Sequence, residues 1–234
     1  LTKYLGRKKN DYVYSASKFI KENYPYSNEF SFTGAINFYE TSVFFEKCNF
    51  YRIDSEDALN LISSKFIKKN SDFEEISSDS IDVDFGMGKM ENLIFQDIGN
   101  DAVDLSDSKV YLKNLFFLNI GDKVISSGEN TNVKIDNITA NNSYLGIASK
   151  DGSITEAKNI NFNNVKIPFA SYQKKKSYGY GLLKVNDPIN LKNYIKKTLK
   201  DPNSQILINK NVIENYNNKI INIVYKKNLN LINE

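Results

Sequence analysis

Asp79-Ser80-Ile81-Asp82-Val83-Asp84 is the stretch that decides the fold, because related copies recur before and after it at a fixed interval. The copies start at Asp57, Asp79, Asp101, Asp122 and Tyr144, and the spacings between successive starts are 22, 22, 21 and 22 residues. Apolar residues alternate with polar ones in each copy, which is typical of a strand with one buried face. A fixed period of this length indicates a repeat architecture.

A second column of residues, all asparagine, keeps the same phase. Its members are 22, 22, 23 and 22 residues apart, namely Asn70, Asn92, Asn114, Asn137 and Asn159. Asparagine tolerates the left-handed backbone of a tight corner, and stacked amides can bond from one repeat to the next. A repeat of about 22 residues is too short for strands joined by crossover helices. The sequence therefore predicts an all-β fold, a right-handed parallel β-helix with about 22 residues per rung.

The ends of such a coil need covering, because an exposed rung is a sticky edge. We expect residues 1–30 to form an N-terminal cap or incomplete rung, with a short helix over 15–21, and residues 31–186 to form the β-helix. Residues 187–234 interrupt the repeat and predict a small C-terminal α/β cap. Its expected elements are a helix over 191–199 and strands over 205–208 and 219–225.

Several apolar residues predict the interior of the coil. Aromatic residues at alternating positions are expected to stack in the core, namely Phe44, Phe66, Phe95, Phe116 and Phe162. The single cysteine, Cys48, lies in an apolar stretch, which favours a small buried residue over a nucleophile. One cysteine also excludes an intrachain disulfide.

Composition limits the functions that this chain can have. It contains no histidine, which excludes histidine acid–base catalysis, Ser-His-Asp triads and histidine metal ligands. Residues 54–107 carry 14 acidic and 4 basic residues, a local balance of −10. That acidic middle argues against nucleic acid as a partner, since phosphate binding needs a basic stripe. It suits cations and neutral or cationic ligands better.

No apolar run approaches the roughly 18 residues of a spanning helix, so the sequence predicts no membrane span. The chain begins at Leu1 rather than at methionine. We therefore expect it to be a piece of a longer protein, with further domains N-terminal to it.

Four stretches together resemble a group of bacterial right-handed β-helix proteins, similar in fold to pectate lyases, alginate lyases and mannuronan epimerases. They are Ser55-Glu56-Asp57-Ala58-Leu59-Asn60, Gly99-Asn100-Asp101-Ala102-Val103-Asp104, Gly146-Ile147-Ala148-Ser149-Lys150-Asp151 and Tyr172-Gln173-Lys174-Lys175. The resemblance covers about residues 31–186 and implies an association with exported or cell-surface polysaccharide. Epimerases and polygalacturonases of this fold use a catalytic histidine, which this chain lacks. Pectate lyases use calcium held by aspartates and a basic proton acceptor, an arrangement that needs no histidine.

Aligned rungs place Asn60, Asp82 and Asp104 in one outward column, with Asp84 and Ser106 two positions on. Neighbouring rungs are about 4.8 Å apart, so Asp82 and Asp104 are expected to lie close together. Two carboxylates that close do not both ionise cheaply. The pattern predicts a calcium site at Asp82, Asp84 and Asp104, or a catalytic pair of Asp82 and Asp104. The alternative is a solvated polar face of the strands.

Lysines follow the acidic column. The repeat places Lys123 one rung past Ala102, and Lys150 follows the fifth copy. Either lysine is a candidate proton acceptor if desolvation lowers its pKa, or an ion-pair partner of the aspartates. The predicted substrate-binding residues are Asn60, Ser106, Asp151, Lys174 and Lys175. The corner column Asp57, Asp79, Asp101 and Asp122 is expected to accept backbone hydrogen bonds.

These observations favour a β-helix that binds or modifies polysaccharide along a lateral groove, exported from or on the surface of a bacterium. The expected chemistry is a calcium-assisted, lyase-like elimination. The alternative is a non-catalytic scaffold or interaction module of a larger cell-surface protein. An enzyme requires the acidic column and a lysine to converge in one groove with perturbed pKa values.

Overall fold

The computed structural model of this chain describes residues 33–233. Over this range the chain is a parallel β-solenoid of about 8 turns, with about 22 residues in each turn. Strand makes up 67% of the structure and helix 6%, so the turns are held together mainly by hydrogen bonds between parallel strands. The predicted fold class is confirmed. The predicted cap over 1–30 and its helix lie outside the described residues.

The strands vary in length because some continue around a corner of the coil without a break. In chain order they are β1 (Gly34–Tyr39), β2 (Ser42–Glu46), β3 (Asn49–Ile53), β4 (Asp57–Ile62), β5 (Lys65–Ile76), β6 (Asp79–Asp84), β7 (Met87–Ile98), β8 (Val103–Ser106), β9 (Lys109–Gly128), β10 (Asn132–Lys150), β11 (Ile154–Tyr172), β12 (Leu182–Lys192), β13 (Thr198–Lys200), β14 (Gln205–Ile208) and β15 (Asn211–Val212). The helices of the described range are α1 (Ile220–Lys226) and a 3-10 helix (Leu229–Asn233).

One sheet of the solenoid carries the acidic column, and we call it the front sheet. It consists of β1, β4, β6 and β8, the C-terminal ends of β9, β10 and β11, and β13. All of these neighbours pair in parallel with an offset near one rung. The front sheet therefore runs the length of the solenoid, and outward side chains that are register partners on successive rungs form columns along the solenoid axis.

Asparagine ladders hold the corners, as the sequence predicts. Each member of the predicted column has a positive φ, between 50° and 58°. The Asn114 amide donates to Asn92 Oδ1 at 3.1 Å, and the Asn137 amide donates to Asn114 Oδ1 at 2.8 Å. A second ladder at the next corner joins Asp97, Asn119, Asn142 and Asn164 in the same way. Each rung is thus tied to the next at two corners.

The aromatic core differs in part from the predicted one. Phe50, Phe73, Phe95 and Phe117 form a continuous stack, with ring centroids 4.4–5.0 Å apart. Phe66 and Phe162 are also buried. The prediction was wrong for Phe44 and Phe116, which are 61% and 36% exposed. Phe95 pairs in register with Phe117, and because side chains alternate along a strand, Phe116 points outward.

The C-terminal helix lies at a different place from the predicted one. Residues 191–199 are not helical: β12 extends to Lys192, and Asn193 takes another corner position, its amide donating to Asn163 Oδ1 at 2.9 Å. The parallel stack thus continues past residue 186, and β14 pairs with β12 where a strand was predicted over 205–208. A helix replaces the strand predicted over 219–225.

The spacing of the apolar residues in α1 places them on one side of the helix, which is buried. Ile220, Ile223 and Val224 are its buried residues, at positions i, i+3 and i+4. They pack on the outward side of the last rungs of the front sheet. No helix within residues 33–233 has the length and apolar character needed to cross a membrane.

Candidate functional site

The front sheet brings together the acidic residues that the repeat predicts. Asn60 pairs with Asp82, Asp82 with Asp104, and Asp104 with Ser126. The second outward column places Asp84 beside Ser106. The predicted adjacency of the two candidate catalytic aspartates on successive rungs is therefore present in the structure.

The polar column ends where α1 covers the sheet. Beyond Ser126 the same column continues with Ala148 and Ala170, small residues that leave room for the helix. The Tyr144 hydroxyl donates to the Ile223 carbonyl at 2.5 Å, which fixes α1 to the sheet. The polar part of the front sheet is therefore closed at this end by the C-terminal segment.

Lys150 reaches back along the sheet to the acidic column. Its Nζ lies 3.7 Å from Asp104 Oδ1, although Lys150 belongs to a rung two turns further on. The lysine stem crosses Gly128, where an added Cβ would come within 2.8 Å of Lys150 Cε. A glycine at position 128 therefore leaves the space that the Lys150 side chain occupies.

The two neighbouring aspartates have opposite pKa shifts. Burial, together with the carboxylates of Asp84 and Asp104, raises the pKa of Asp82 well above its ordinary value. Burial is the largest single effect on Asp104 and acts to raise its pKa, but the Lys150 ammonium, the Ser126 hydroxyl, Lys123 and the Leu105 N–H together outweigh it, and the pKa lies below its ordinary value. Of the two carboxyls, Asp82 is therefore the one that keeps its proton to higher pH, and Asp104 is the one that ionises first as pH rises.

Asp84 adds a third carboxyl to this cluster. Burial raises the pKa of Asp84, and the Asp104 carboxylate adds to the effect. Lys175 acts in the opposite direction on Asp84. Asp84 follows Asp82 by two residues on β6, so its half-buried side chain lies on the same face as Asp82 and Asp104.

Lys123 occupies a different position from the one predicted. Val103 pairs with Ile125, so Lys123 stands one rung past Asp101 rather than past Ala102. The strands pair at an offset of 22 residues on both sides of this corner, from Ile98 to Ile120 and from Val103 to Ile125, so Lys123 rather than Asp122 lies beside Asp101. The Lys123 Nζ lies 2.5 Å from Asp122 Oδ2 and 3.3 Å from Asp101 Oδ1, and its side chain is buried.

Neither lysine has the property that a proton acceptor requires. Burial acts to lower the pKa of Lys123 and of Lys150, but neighbouring carboxylates outweigh it and both pKa values are raised. Both side chains therefore stay positively charged. The structure places them as ion-pair partners, which was the alternative to a catalytic base.

The corner aspartates bond the backbone of the next rung. Asp79 Oδ1 accepts from the Asp101 N–H at 2.7 Å, and Asp101 Oδ1 accepts from the Lys123 N–H at 2.9 Å. The backbone role expected of the corner column is present for Asp79 and Asp101, where it joins successive rungs rather than residues of one turn. Asp57 and Asp122 accept from side chains instead. Burial raises the pKa of Asp79 to about 7, and the Asp101 carboxylate adds to this effect.

The loop after β11 borders the front sheet. Asp151 is fully buried, and its Oδ1 accepts from the N–H groups of Lys174 and Lys175 at 2.6 and 2.7 Å. Asp151 therefore holds this loop in place from below. Its predicted role in substrate binding stays a prediction. Lys175 forms an ion pair with Glu129, which also accepts from the Ser106 hydroxyl at 2.6 Å.

Three further residues of the site had little or no signal in the sequence. Glu129 joins Ser106 to Lys175. Tyr172 and Tyr225 share a hydroxyl–hydroxyl hydrogen bond of 3.0 Å, and Lys174 Nζ lies 4.6 Å from the Tyr225 ring centroid. Tyr172 adjoins the predicted lysine run, but nothing in the repeat points to Tyr225, which arrives from the C-terminal segment.

The acidic column was also predicted to hold calcium, and that stays a prediction. Calcium takes 6–8 oxygen ligands, whereas residues 33–233 contain no group of three or more Asp, Glu, Cys or His residues arranged to hold a metal ion. Lys150 already supplies a positive charge beside Asp104. The donor set therefore fits calcium poorly.

These roles follow from the geometry of the chain itself. Comparison with protein-family models, with curated proteins and with solved structures gave no match for this sequence.

Proposed function

We propose that the chain binds an extended polysaccharide along the front sheet and acts on it with Asp82 and Asp104 as an acid–base pair. The observation that carries the proposal is the opposite pKa shift of two carboxyls on adjacent rungs. Carboxyls whose environments separate their pKa values are a recurrent basis for acid–base assignments. Exported or cell-surface polysaccharide is the setting that we propose for this activity.

The shape of the face supports a polymeric ligand. Its outward groups recur at the rung spacing of about 4.8 Å along the solenoid axis. The loop that carries Lys174 and Lys175 borders it, and α1 closes one end. A linear chain with a short repeating unit can lie along such a face and meet similar groups at each rung.

The chemistry that this pair supports is the breaking of a glycosidic bond. Protonated Asp82 is suited to donate its proton to the leaving oxygen while ionised Asp104 attacks the anomeric carbon and forms a glycosyl ester. Water, deprotonated by Asp82, then hydrolyses this ester, which releases the sugar and restores both carboxyls. Retaining glycosidases place two such carboxyls about 5–5.5 Å apart, close to the rung spacing. Lys150 serves here by holding Asp104 in its ionised form.

Incubation with oligosaccharides of neutral, anionic and cationic classes tests this proposal. Binding by calorimetry and product release by mass spectrometry are measured for the wild type, Asp82→Asn and Asp104→Asn. We expect both variants to lose product formation by about 100-fold or more, the usual contribution of acid–base catalysis. Glu74→Gln, a change at an exposed carboxylate of β5 on another face, is the matched control and should behave as the wild type.

A non-catalytic scaffold is the second candidate, and the corners of the solenoid favour it. Each asparagine of the two ladders donates to a neighbouring rung, which gives a stiff rod independent of any ligand. The same experiment separates the two candidates. A scaffold would bind none of the three classes at the front sheet and release no product.

A further inference from the structure

Asn60 has a buried carbonyl oxygen to which no residue in the described part of the chain donates a hydrogen bond. The residue is 2% exposed, and its Nδ2 donates to Thr33 Oγ1 at 2.8 Å and to Asp57 Oδ2 at 3.4 Å. The amide is thus oriented by its nitrogen, which leaves Oδ1 as the unused acceptor. A buried acceptor left unpaired costs about 1–3 kcal/mol, so a bound group that donates a hydrogen bond here would recover that cost.

The surroundings of Asn60 offer acceptors rather than donors. Asp57 is hydrogen-bonded to it, and Asp82 is its register partner, with Asp84 two positions on. Within residues 33–233, none of these three aspartates forms an ion pair. We call Asp57, Asn60 and Asp84 the acceptor pocket.

The lysines near the front sheet form their ion pairs with carboxylates outside the acceptor pocket. Lys123 is paired with Asp101 and Asp122, Lys150 with Asp104, and Lys175 with Glu129. These pairs lie on later rungs, toward α1. Among the residues that the structure describes, no lysine forms an ion pair with Asp57 or Asp84, and Lys175 acts on Asp84 only from a distance.

We propose that the acceptor pocket binds the ammonium group of an amino sugar in the polysaccharide, an inference that rests on the proposed function. An ammonium group has three hydrogen-bond donors and no acceptor. It can donate to Asn60 Oδ1 while its charge is balanced by the carboxylates of Asp57 and Asp84. A sugar carboxylate has only acceptors to offer and would be repelled.

This assignment leaves the acid–base pair intact. Asp57 and Asp84 supply the negative charge that the ammonium group meets, and Asp82 lies between Asn60 and Asp104 in the column. The sugar that carries the ammonium group would then sit one rung before the bond that is broken. The amino sugar is thus recognised next to the reacting unit.

Calorimetry with three oligomers of equal length tests the proposal. They are a glucosamine oligomer, its N-acetylated counterpart and a galacturonate oligomer. We expect the glucosamine oligomer to bind the wild type about tenfold or more tightly than the other two, the effect of one charge-assisted hydrogen bond. Asp84→Asn and Asn60→Leu should each remove most of that preference, and Glu74→Gln should keep it.

Each other outcome decides a specific point. Tighter binding of the neutral or the anionic oligomer would overturn the ammonium assignment and leave the proposed polysaccharide function standing. Binding of none of the three would overturn both. Saturable binding of calcium chloride alone that Asp84→Asn abolishes would overturn the ammonium assignment in favour of a metal ion. Far-ultraviolet circular dichroism identifies any variant that fails to fold, and Asp84, being half-buried, is the position more tolerant of change.

Discussion

Replacing Lys150 by methionine removes the charge that keeps Asp104 ionised. The Lys150 side chain is 7% exposed and that of Asp104 24%, so the ion pair is largely buried. Removing one partner of a fully buried pair costs roughly 3–5 kcal/mol. The 3.7 Å separation and the partial exposure of Asp104 reduce this, and we expect a loss of about 2–3 kcal/mol near pH 7.

The loss should depend on pH with a definite sign. In the wild type, the lowered pKa of Asp104 stabilises the fold at pH values above the ordinary aspartate pKa near 3.9. This stabilisation is lost as the pH falls through the pKa of Asp104 in the folded state. Without Lys150, the effect of burial would raise the pKa of Asp104, so acid would favour the folded variant. The difference between wild type and Lys150→Met should therefore shrink as pH falls from about 7 toward about 4.

Urea denaturation followed by circular dichroism at several pH values measures this difference. Lys134→Met changes an exposed lysine on the same strand, β10, and should alter the free energy of unfolding by less than about 0.5 kcal/mol. A loss in Lys150→Met no larger than that of the control, or one that is constant with pH, would refute the role assigned to Lys150.

Three other substitutions test separate parts of the structure. Asn114→Ala should lower the free energy of unfolding by about 2 kcal/mol in urea denaturation, because it loses a ladder hydrogen bond on each side and puts alanine at a φ of 54°. Asn114→Gly should recover the part of this loss that comes from the positive φ. Gly128→Leu should displace Lys150 and raise the pKa of Asp104, measured by carbon NMR; an unchanged pKa would argue against the contact. Burial lowers the pKa of Lys68 to about 7, so between about pH 7 and 10 the unfolded chain binds more protons than the folded chain. The free energy of unfolding of the wild type should therefore rise with pH over that range relative to that of Lys68→Met. Parallel pH profiles of the two proteins would contradict this.

The repeat made most of the fold predictable. The spacing of the Asp and Asn columns implies the rungs, and a rung places Asp82 beside Asp104 without knowledge of any side-chain contact. The left-handed corners follow because asparagine accepts that backbone conformation. These features depend on residues one rung apart, and a period read from the sequence captures that distance.

Contacts that cross several rungs are not contained in the period. Lys150 meets Asp104 two rungs away only because Gly128 leaves space for its stem. The copies at Asp101 and Asp122 are 21 residues apart in the sequence, whereas the strands pair at an offset of 22, so Lys123 takes the position beside Asp101. Helix α1 returns to cover the front sheet from a segment with no repeat, so Tyr225 was not predictable.

The opposite protonation of the two aspartates is tested most directly by carbon-13 NMR titration of the side-chain carboxyls of Asp82 and Asp104. The structure predicts that Asp104 titrates below the ordinary aspartate value near 3.9 and that Asp82 titrates well above it. Assignment by Asp82→Asn and Asp104→Asn identifies each signal. If both carboxyls instead titrate together near 3.9, the acid–base pair does not exist, and the front sheet is a solvated polar face.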